Sequence, residues 1–239
     1  MIFGAIVAGG VGSRMKISKY PKQFLPLGDS KKPILIHTLE KFILCDKLDA
    51  IYIGVHKDWI DYAEELIEKY GLSSEKVVIV EGGKDRNLTI INIINAIEKK
   101  YGENENHVLA THDAVRPFVT LKMIEDSINA AIECGASDTV ISAVDTIVES
   151  TNHEFITSIP NRANMYQGQT PQGINMKKFK ELYYNLSEKE KNVMTDACKV
   201  FVARNQPVKL VEGDVLNMKI TTANDYKIAN LIFEAEKND

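Results

Sequence analysis

Cysteine and long apolar runs are scarce in this 239-residue chain, and positive charge is not in excess. The three cysteines, Cys45, Cys134 and Cys198, lie far apart and make neither a disulfide framework nor a metal-ligand spacing, so a reducing cytosol suits them. No segment approaches the ~20 apolar residues of a membrane-spanning helix. The start, MIFGAIVAGG, has no basic leader region and its apolar run breaks at glycine, which reads against a secretory signal and for the cytoplasm. A formal net charge of −4 argues against broad contact with nucleic acid or an anionic membrane surface. Any phosphate binding must therefore come from a local basic cluster. Repeats, low-complexity tracts and clear linkers are absent as well. What is present, 44% apolar and 26% charged residues, is an ordinary globular composition that suits one large α/β domain with a sizeable core.

Short β-branched runs alternate with helical patterns. Ile2–Val7, Ala50–Val55, Val77–Glu81, Val108–Thr111 and Asp138–Val144 read as strands, several of them apolar on both faces. Ile34–Leu44, Trp59–Tyr70, Leu88–Lys100 and Leu121–Glu133 carry the 3.6-residue period of helices packed on a sheet. This alternation predicts right-handed βαβ crossovers and a mainly parallel sheet with helices on both faces. Thr146–Glu149 and Phe155–Ile159 flank a turn-rich segment and read as an inserted β-hairpin arm, at about residues 145–162. Helices at Met176–Asn185 and Thr195–Arg204, a strand near Val208–Val211 and a helix from Ala223 complete the pattern.

The first strand runs into Ala8-Gly9-Gly10-Val11-Gly12-Ser13-Arg14-Met15. Glycines directly after a strand let backbone N–H groups turn toward an anion, though such a turn also serves simple packing. The dinucleotide fingerprint G-x-G-x-x-G is not met, because Met15 stands at its last position and no acidic residue closes the second strand at Val55. The Walker lysine is missing too. Sharper is the cluster Arg14, Lys16, Lys19 and Lys22, which matches the needs of a polyphosphate carrying about four negative charges.

Val7-Ala8-Gly9-Gly10-Val11-Gly12-Ser13-Arg14-Met15 followed by Pro21-Lys22-Gln23-Phe24 resembles the signature of the sugar-phosphate cytidylyltransferases. Further matches are Gly82-Gly83-Lys84-Asp85-Arg86-Asn87, His112-Asp113-Ala114-Val115-Arg116-Pro117, Thr195-Asp196-Ala197-Cys198-Lys199 and Met218-Lys219-Ile220-Thr221-Thr222. The resemblance spans nearly the whole chain and implies a Rossmann-like nucleotidyltransferase fold. Two branches of the family compete, one using ribitol 5-phosphate for teichoic-acid or capsule polymers, the other 2-C-methylerythritol 4-phosphate for isoprenoids. Ile159-Pro160-Asn161-Arg162, the run from Met165 to Gln172, and Thr195-Asp196-Ala197-Cys198-Lys199 resemble the ribitol-using branch.

Site roles follow from that resemblance. Arg14 and Lys22 are expected to meet the charge of the transition state, and Lys219 to steer the acceptor phosphate. Val7, Ala8, Gly9, Gly10, Gly12 and Ser13 are expected to bind CTP, the Gly9–Ser13 amides holding its triphosphate. The segment Gly82, Gly83, Lys84, Asp85, Arg86 and Thr89 is expected to carry cytosine, although a loop with a capping threonine explains it as well. Asp113 is a candidate for a hydroxyl or Mg²⁺ contact with Arg116 orienting it; a structural ion pair is the plainer alternative. Thr170, Thr195 and Thr221 complete the expected acceptor site. Mg²⁺ is expected to bridge phosphate oxygens. Asp225 fits either a metal or an ordinary helix N-terminus. The resemblance further implies a homodimer whose arm brings Thr146 and Arg162 to the neighbouring site. The rivals, an NAD-dependent oxidoreductase and a non-catalytic nucleotide-binding module, are opposed respectively by the incomplete glycine fingerprint and by the joint presence of Arg14, Lys22 and Lys219.

Overall fold

The computed structural model describes residues 1–10 and 20–235. Strand β1 (Ile2–Ala8) is followed by a two-stranded ribbon, β2 (Pro26–Leu27) and β3 (Lys32–Pro33), and by α1 (Ile34–Ile43). Then come β4 (Ala50–Val55), α2 (Ile60–Lys69), β5 (Val77–Glu81), α3 (Arg86–Tyr101), β6 (Val108–Asp113), α4 (Leu121–Cys134) and β7 (Ala136–Ser142). The remainder is β8 (Tyr166–Asn175), α5 (Met176–Tyr184), α6 (Glu188–Val193), α7 (Ala197–Val202), β9 (Lys209–Glu212) and α8 (Ala223–Ala235). Seven strands form one sheet in the order β5-β4-β1-β6-β8-β7-β9. Every pairing is parallel except those of β8, which runs antiparallel between β6 and β7.

Alternation along the central strands sends side chains into two cores. Ile6 and Ala8 join Leu35, Leu39 and Phe42 of α1, Leu66 of α2 and Ile128 of α4 on one face. Phe3 and Ala5 join Ile90, Ile94 and Ile97 of α3, Phe179 of α5 and Phe201 of α7 on the other. Because β1 buries both faces, it reads as a continuous apolar run, as parallel strands covered by helices do. A third cluster packs Leu25, Leu27, Ile34, Val115 and Ile220 against Ala229 of α8. Polar caps start the helices that border the sheet's carboxyl edge. Asp85 accepts from Leu88 N (2.8 Å) at α3, and Asp196 from Lys199 N (2.9 Å) at α7.

Most expected strands and helices lie where their periodicity puts them. The segment 166–175 was legible as a motif but not as a strand. The arm differs more. Between β7 and β8 the expected paired strands reduce to one bridge, Glu149 with Ser158, held by Glu149 N to Ser158 O (2.8 Å) and Thr157 N to Glu149 O (2.7 Å). Asn152 ties the turn by accepting from Glu154 N and Phe155 N. Val144, Val148, Phe155, Ile156 and Ile159 are all more than half exposed. An isolated two-stranded ribbon finds no apolar face to rest on within one chain, so its ladder does not propagate.

The tightest packing around the sheet edge is at Gly54 on β4, where a Cβ would overlap Thr89 Cγ2 and sit 3.3 Å from Ile93 Cδ1. Gly54→Ala should therefore cost about 1–3 kcal/mol by overpacking. Urea denaturation checks it, and a variant as stable as the parent would contradict the packing.

Candidate active site

A cavity of about 350 Å³ opens at the carboxyl edge of β1 and β6. Open parallel sheets bind ligands at such an edge, because strands end there and helices begin. Val7, Ala8, Gly9 and Gly10 form one wall. Lys22 faces them from a short 3-10 turn, Lys22–Phe24. Its neighbour Gln23 is buried and donates through Nε2 to Ala8 O (2.8 Å) and Gly10 O (3.0 Å), clamping the turn to the end of β1. Phe24 packs among Trp59 and Tyr62 on the far side. Lys22 is thus held on a rigid base. Gln23, with Ala114 and Val115, lines the cavity although it stood in the sequence only as part of a motif.

The opposite wall is Gly83, Lys84, Asp85, Arg86 and Thr89. Here the expected role of Thr89 changes. Its hydroxyl donates to Asp85 O (2.8 Å) and accepts from Gly83 N (2.9 Å), so both groups are engaged with each other. Thr89 shapes the loop while leaving other backbone groups to face a base. Gly82 stands outside the lining but against it, since a Cβ there would lie 3.3 Å from Thr89 Oγ1. Asp85 is the α3 cap. Asn87 Nδ2 donates to Met194 O (3.1 Å) and ties α3 to the segment carrying Thr195, which also lines the cavity.

Asp113, the last residue of β6, is the floor. Arg86 Nε lies 3.2 Å from its Oδ1, while Arg116 Nε (3.3 Å) and Lys219 Nζ (2.9 Å) meet its Oδ2. Burial by itself would raise the pKa of this acid. Arg86, Lys219 and Arg116 together overcome that effect and hold the carboxyl far below the usual carboxylate range. Arg116 is buried outside the cavity lining and also donates to Asn217 O (2.7 Å), so it orients Asp113 as expected and joins it to the Lys219 segment.

Behind Asp113 is a relay whose members the sequence shows separately, Thr170 as an expected acceptor-site residue and His112 only as part of a motif. His112 Nε2 lies 3.0 Å from Arg116 O, and since a carbonyl only accepts, Nε2 carries the proton. Burial pushes the His112 pKa down to about 4, so the ring is neutral at pH 7 and its Nδ1 accepts. Thr170 Oγ1 then donates to Nδ1 (2.8 Å) and accepts from Asp113 N (3.1 Å). Thr170 is a positioning residue in this chain, not a free hydroxyl. Thr221 likewise departs from expectation: its hydroxyl and N–H both donate to Asp225 Oδ2 (2.7 and 2.8 Å). Burial opposes the charge of Asp225, but these bonds and those from Thr222 leave its pKa lowered, as befits a helix-terminal acid.

Gly12, Ser13 and Arg14, with Lys16 and Lys19, lie outside the described residues. Thr146 and Arg162 are exposed on the arm, away from the cavity, with Arg162 Nη1 donating to Val144 O (2.8 Å). Asp113 does not fit the expected metal role, because its two oxygens are already shared by three cations. Among the described residues, no three His, Cys, Asp or Glu side chains are placed to hold a metal ion.

One level below Asp113, Asp138 is pushed up to about 6 from 3.8, by burial first and by Asp196 second. Its effect on stability opposes that of His112. As pH falls from 6.5 toward 4, the unfolded chain protonates His112 while the folded protein resists, which destabilises. Over 6 to 4 the folded protein protonates Asp138 ahead of the unfolded chain, which stabilises. Each effect is worth about 3 kcal/mol. Asp138→Asn should therefore be the more stable protein at pH 7 and lose that advantage by pH 4. Urea denaturation of both proteins across this range measures the difference, and a constant gap would refute the assignment.

The chain resembles known proteins along nearly all its length. Residues 2–235 match the family model of 2-C-methyl-D-erythritol 4-phosphate cytidylyltransferase (IspD). A ribitol-5-phosphate cytidylyltransferase of Streptococcus pneumoniae is 53% identical over 237 residues, covering 99% of this chain and 100% of its own. Among solved structures, 4-diphosphocytidyl-2C-methyl-D-erythritol synthase from Anaerococcus prevotii superposes with a TM-score of 0.81 at 28% identity, over 98% of this chain and 96% of that one. The Francisella tularensis 2-C-methyl-D-erythritol 4-phosphate cytidylyltransferase does so with 0.77 at 25%, over 96% and 98%. A cavity walled by the glycine turn and the α3 loop, floored by a carboxylate under Arg86 and Lys219, thus sits in a chain that belongs to the IspD family of cytidylyltransferases.

Proposed function

We propose that this protein transfers the cytidylyl group of CTP to D-ribitol 5-phosphate, giving CDP-ribitol and pyrophosphate, in the cytoplasm and for teichoic-acid or capsule polymers. The observation that carries the reading is the convergence of Lys22, Arg86 and Lys219 on one cavity, in a chain 53% identical to relatives named for that acceptor. A phosphate monoester is largely a dianion at neutral pH, its second pKa lying near ~6, and attacks without a general base. One of its oxygens bonds to the α-phosphorus of CTP. The bond from that phosphorus to the bridging oxygen breaks, and its electron pair leaves with pyrophosphate. The barrier is the meeting of two anions, which fixed cations lower.

Each described residue has a share in this. The N–H groups of the glycine turn and Lys22 receive the triphosphate. Asp113 restrains Lys219 and Arg86 so that their charges are in place beforehand, although the remaining net charge of that cluster is positive. Mg²⁺ carried by the nucleotide would supply charge neutralisation at the phosphates, and this chain's own residues would hold the nucleotide. Arg14, which lies outside the described residues, adds a further cation by the resemblance alone.

Purified protein with CTP should release pyrophosphate with ribitol 5-phosphate at a kcat/KM at least about tenfold above that with 2-C-methylerythritol 4-phosphate, since the branched, shorter acceptor leaves polar partners unmatched. Equal or reversed preference would move the chain to the isoprenoid acceptor. In the same assay Lys22→Ala and Arg14→Ala should each lower kcat by ~10²–10³. A kcat for Lys22→Ala within about threefold of the parent would refute the assignment.

The exposed apolar arm supports a homodimer in which Thr146 and Arg162 reach the partner's cavity. A guanidinium suits the acceptor phosphate because it engages two oxygens at once. Mixing inactive Lys22→Ala with inactive Arg162→Ala under subunit exchange should restore activity, because one site of each mixed dimer has both residues intact. Exchange without recovery, or an active monomer by light scattering, would overturn the shared site.

A further inference from the structure

Rows of side chains across the sheet lead from the core to the cavity. Leu109, Ile174 and Ala136 are paired across β6, β8 and β7 and belong to the apolar core. Two residues closer to the carboxyl edge of β6, the next row on the same face is Thr111, Gln172 and Asp138, and it is polar. Asp113 and the cavity come two residues further. Gln172 is only 3% exposed, and its Nε2 donates to Asp138 Oδ1 (2.9 Å) with Asp196 Oδ1 at 3.5 Å. Its Oε1 is buried without a hydrogen-bond partner among the described residues. Arg86 spans the two rows, with Nε on Asp113 and Nη2 at 3.5 Å from Thr111 Oγ1, and its Nη1 is buried and unpartnered as well. Gln172 is among the few buried polar side chains left unmatched, and such groups mark either strain or a ligand.

Asp138 is the member of the row that reaches solvent. Asp138 is half-buried, and a Cβ built on Gly168 of β8 would meet only Asp138 Oδ2, at 3.6 Å. Gly168 is exposed, and Thr195, beside Asp196, lines the cavity. Space therefore remains in front of the carboxylate.

We propose that Asp138, Gln172 and Arg86 form a subsite that reads hydroxyl groups on the polyol chain of the acceptor. A hydroxyl both donates and accepts, so one ligand class satisfies all three groups. Asp138 Oδ2 and Gln172 Oε1 accept from it, and Arg86 Nη1 donates to it. CTP carries ribose hydroxyls and a cytosine amine as well, but β8 and β7 stand two and three strands from β1 and its glycine turn, and this position assigns the row to the polyol end of the acceptor rather than to CTP. The raised pKa of Asp138 fits this use, because an acid kept poorly solvated and beside Asp196 is costly to ionise without a donor facing it. The titratable and charged groups facing Asp138 are Asp196 and the Cys198 thiol beside and on α7, Arg86 on α3 and Arg116 after β6, with the Gln172 amide on β8. The thiol is itself buried, donates to Ser137 O and is pushed up by burial, so it stays neutral.

The inference rests on the ribitol 5-phosphate reading, and one assay separates the two. Pyrophosphate release is measured for the parent, Asp138→Asn, Asp138→Ala and Gly168→Ala with CTP and either ribitol 5-phosphate or its monodeoxy analogues. The Asp138 variants should raise KM for ribitol 5-phosphate at least about tenfold and leave KM for CTP within about twofold. The parent should use at least one deoxy analogue about tenfold less well than ribitol 5-phosphate, and Asp138→Ala should use the two about equally. Gly168→Ala, which narrows the approach to Oδ2, should raise acceptor KM in the same direction. Unchanged acceptor KM in the Asp138 variants, or a parallel rise in KM for CTP, overturns the subsite and leaves the acceptor reading intact. A parent that uses every deoxy analogue as well as ribitol 5-phosphate overturns it even if a variant fails to fold. A parent inactive on ribitol 5-phosphate overturns both.

Discussion

One buried carboxylate holds the catalytic edge of this protein together. Asp113 lies at the end of β6, where desolvation alone would neutralise it, and stays ionised because Arg86, Arg116 and Lys219 surround it. The three cations come from different parts of the chain: the start of α3, the turn after β6, and the segment before α8. Taking away the acid would leave three positive side chains facing one another in a poorly solvated space, a situation far costlier than losing an exposed ion pair. The same interaction that sets the fold of this edge also fixes Arg86 and Lys219 in the lining of the cavity.

A second consequence concerns the side chains that carry hydroxyls. Thr89, Thr170 and Thr221 are each engaged with the protein itself: Thr89 with Asp85 and Gly83, Thr170 with His112 and Asp113, Thr221 with Asp225. Each of these bonds fixes the loop in which the threonine sits. Preorganisation of this kind suits phosphoryl transfer, in which the protein supplies position and charge and little covalent chemistry. Unmatched groups include Gln172 Oε1 and Arg86 Nη1, beside Asp138 in the polar row, and the exposed apolar residues of the arm. The first lacks partners of the kind a polyol carries, and the second lacks an apolar face.

Much was legible from sequence. The alternation of β-branched runs with 3.6-residue periods located β1, β4 and β5, as well as α1 to α4, to within about two residues, because parallel strands and the helices covering them each bury a repeating face. The glycine turn, Lys22, the α3 loop, Asp113 and Lys219 were legible as ordered blocks, and they do line one cavity. The segment 166–175 was not legible as a strand, since Gly168, Pro171 and Gly173 dilute its pattern and its pairing lies with residues about thirty to sixty positions away. The arm turns back through the antiparallel Glu149–Ser158 bridge, in keeping with its hairpin pattern, but forms no longer ladder, since strand-like residues extend only when another surface covers them.

The sequence by itself determined the strands and helices, the basic and glycine-rich segments, and the residue types needed for nucleotidyl transfer, because local periodicity and side-chain chemistry are properties of short stretches. Tertiary structure alone decided what each polar group is bound to. It committed both oxygens of Asp113 to cations, made His112 and Thr170 a relay to its backbone, and placed Asp138 beside Gln172 one row beneath the cavity. The last two depend on the antiparallel insertion of β8 between β6 and β7, which brings residues 108–113, 136–142 and 166–175 into register. Hydrogen bonds and charge pairs act over about 3 Å, a distance that only the folded chain defines.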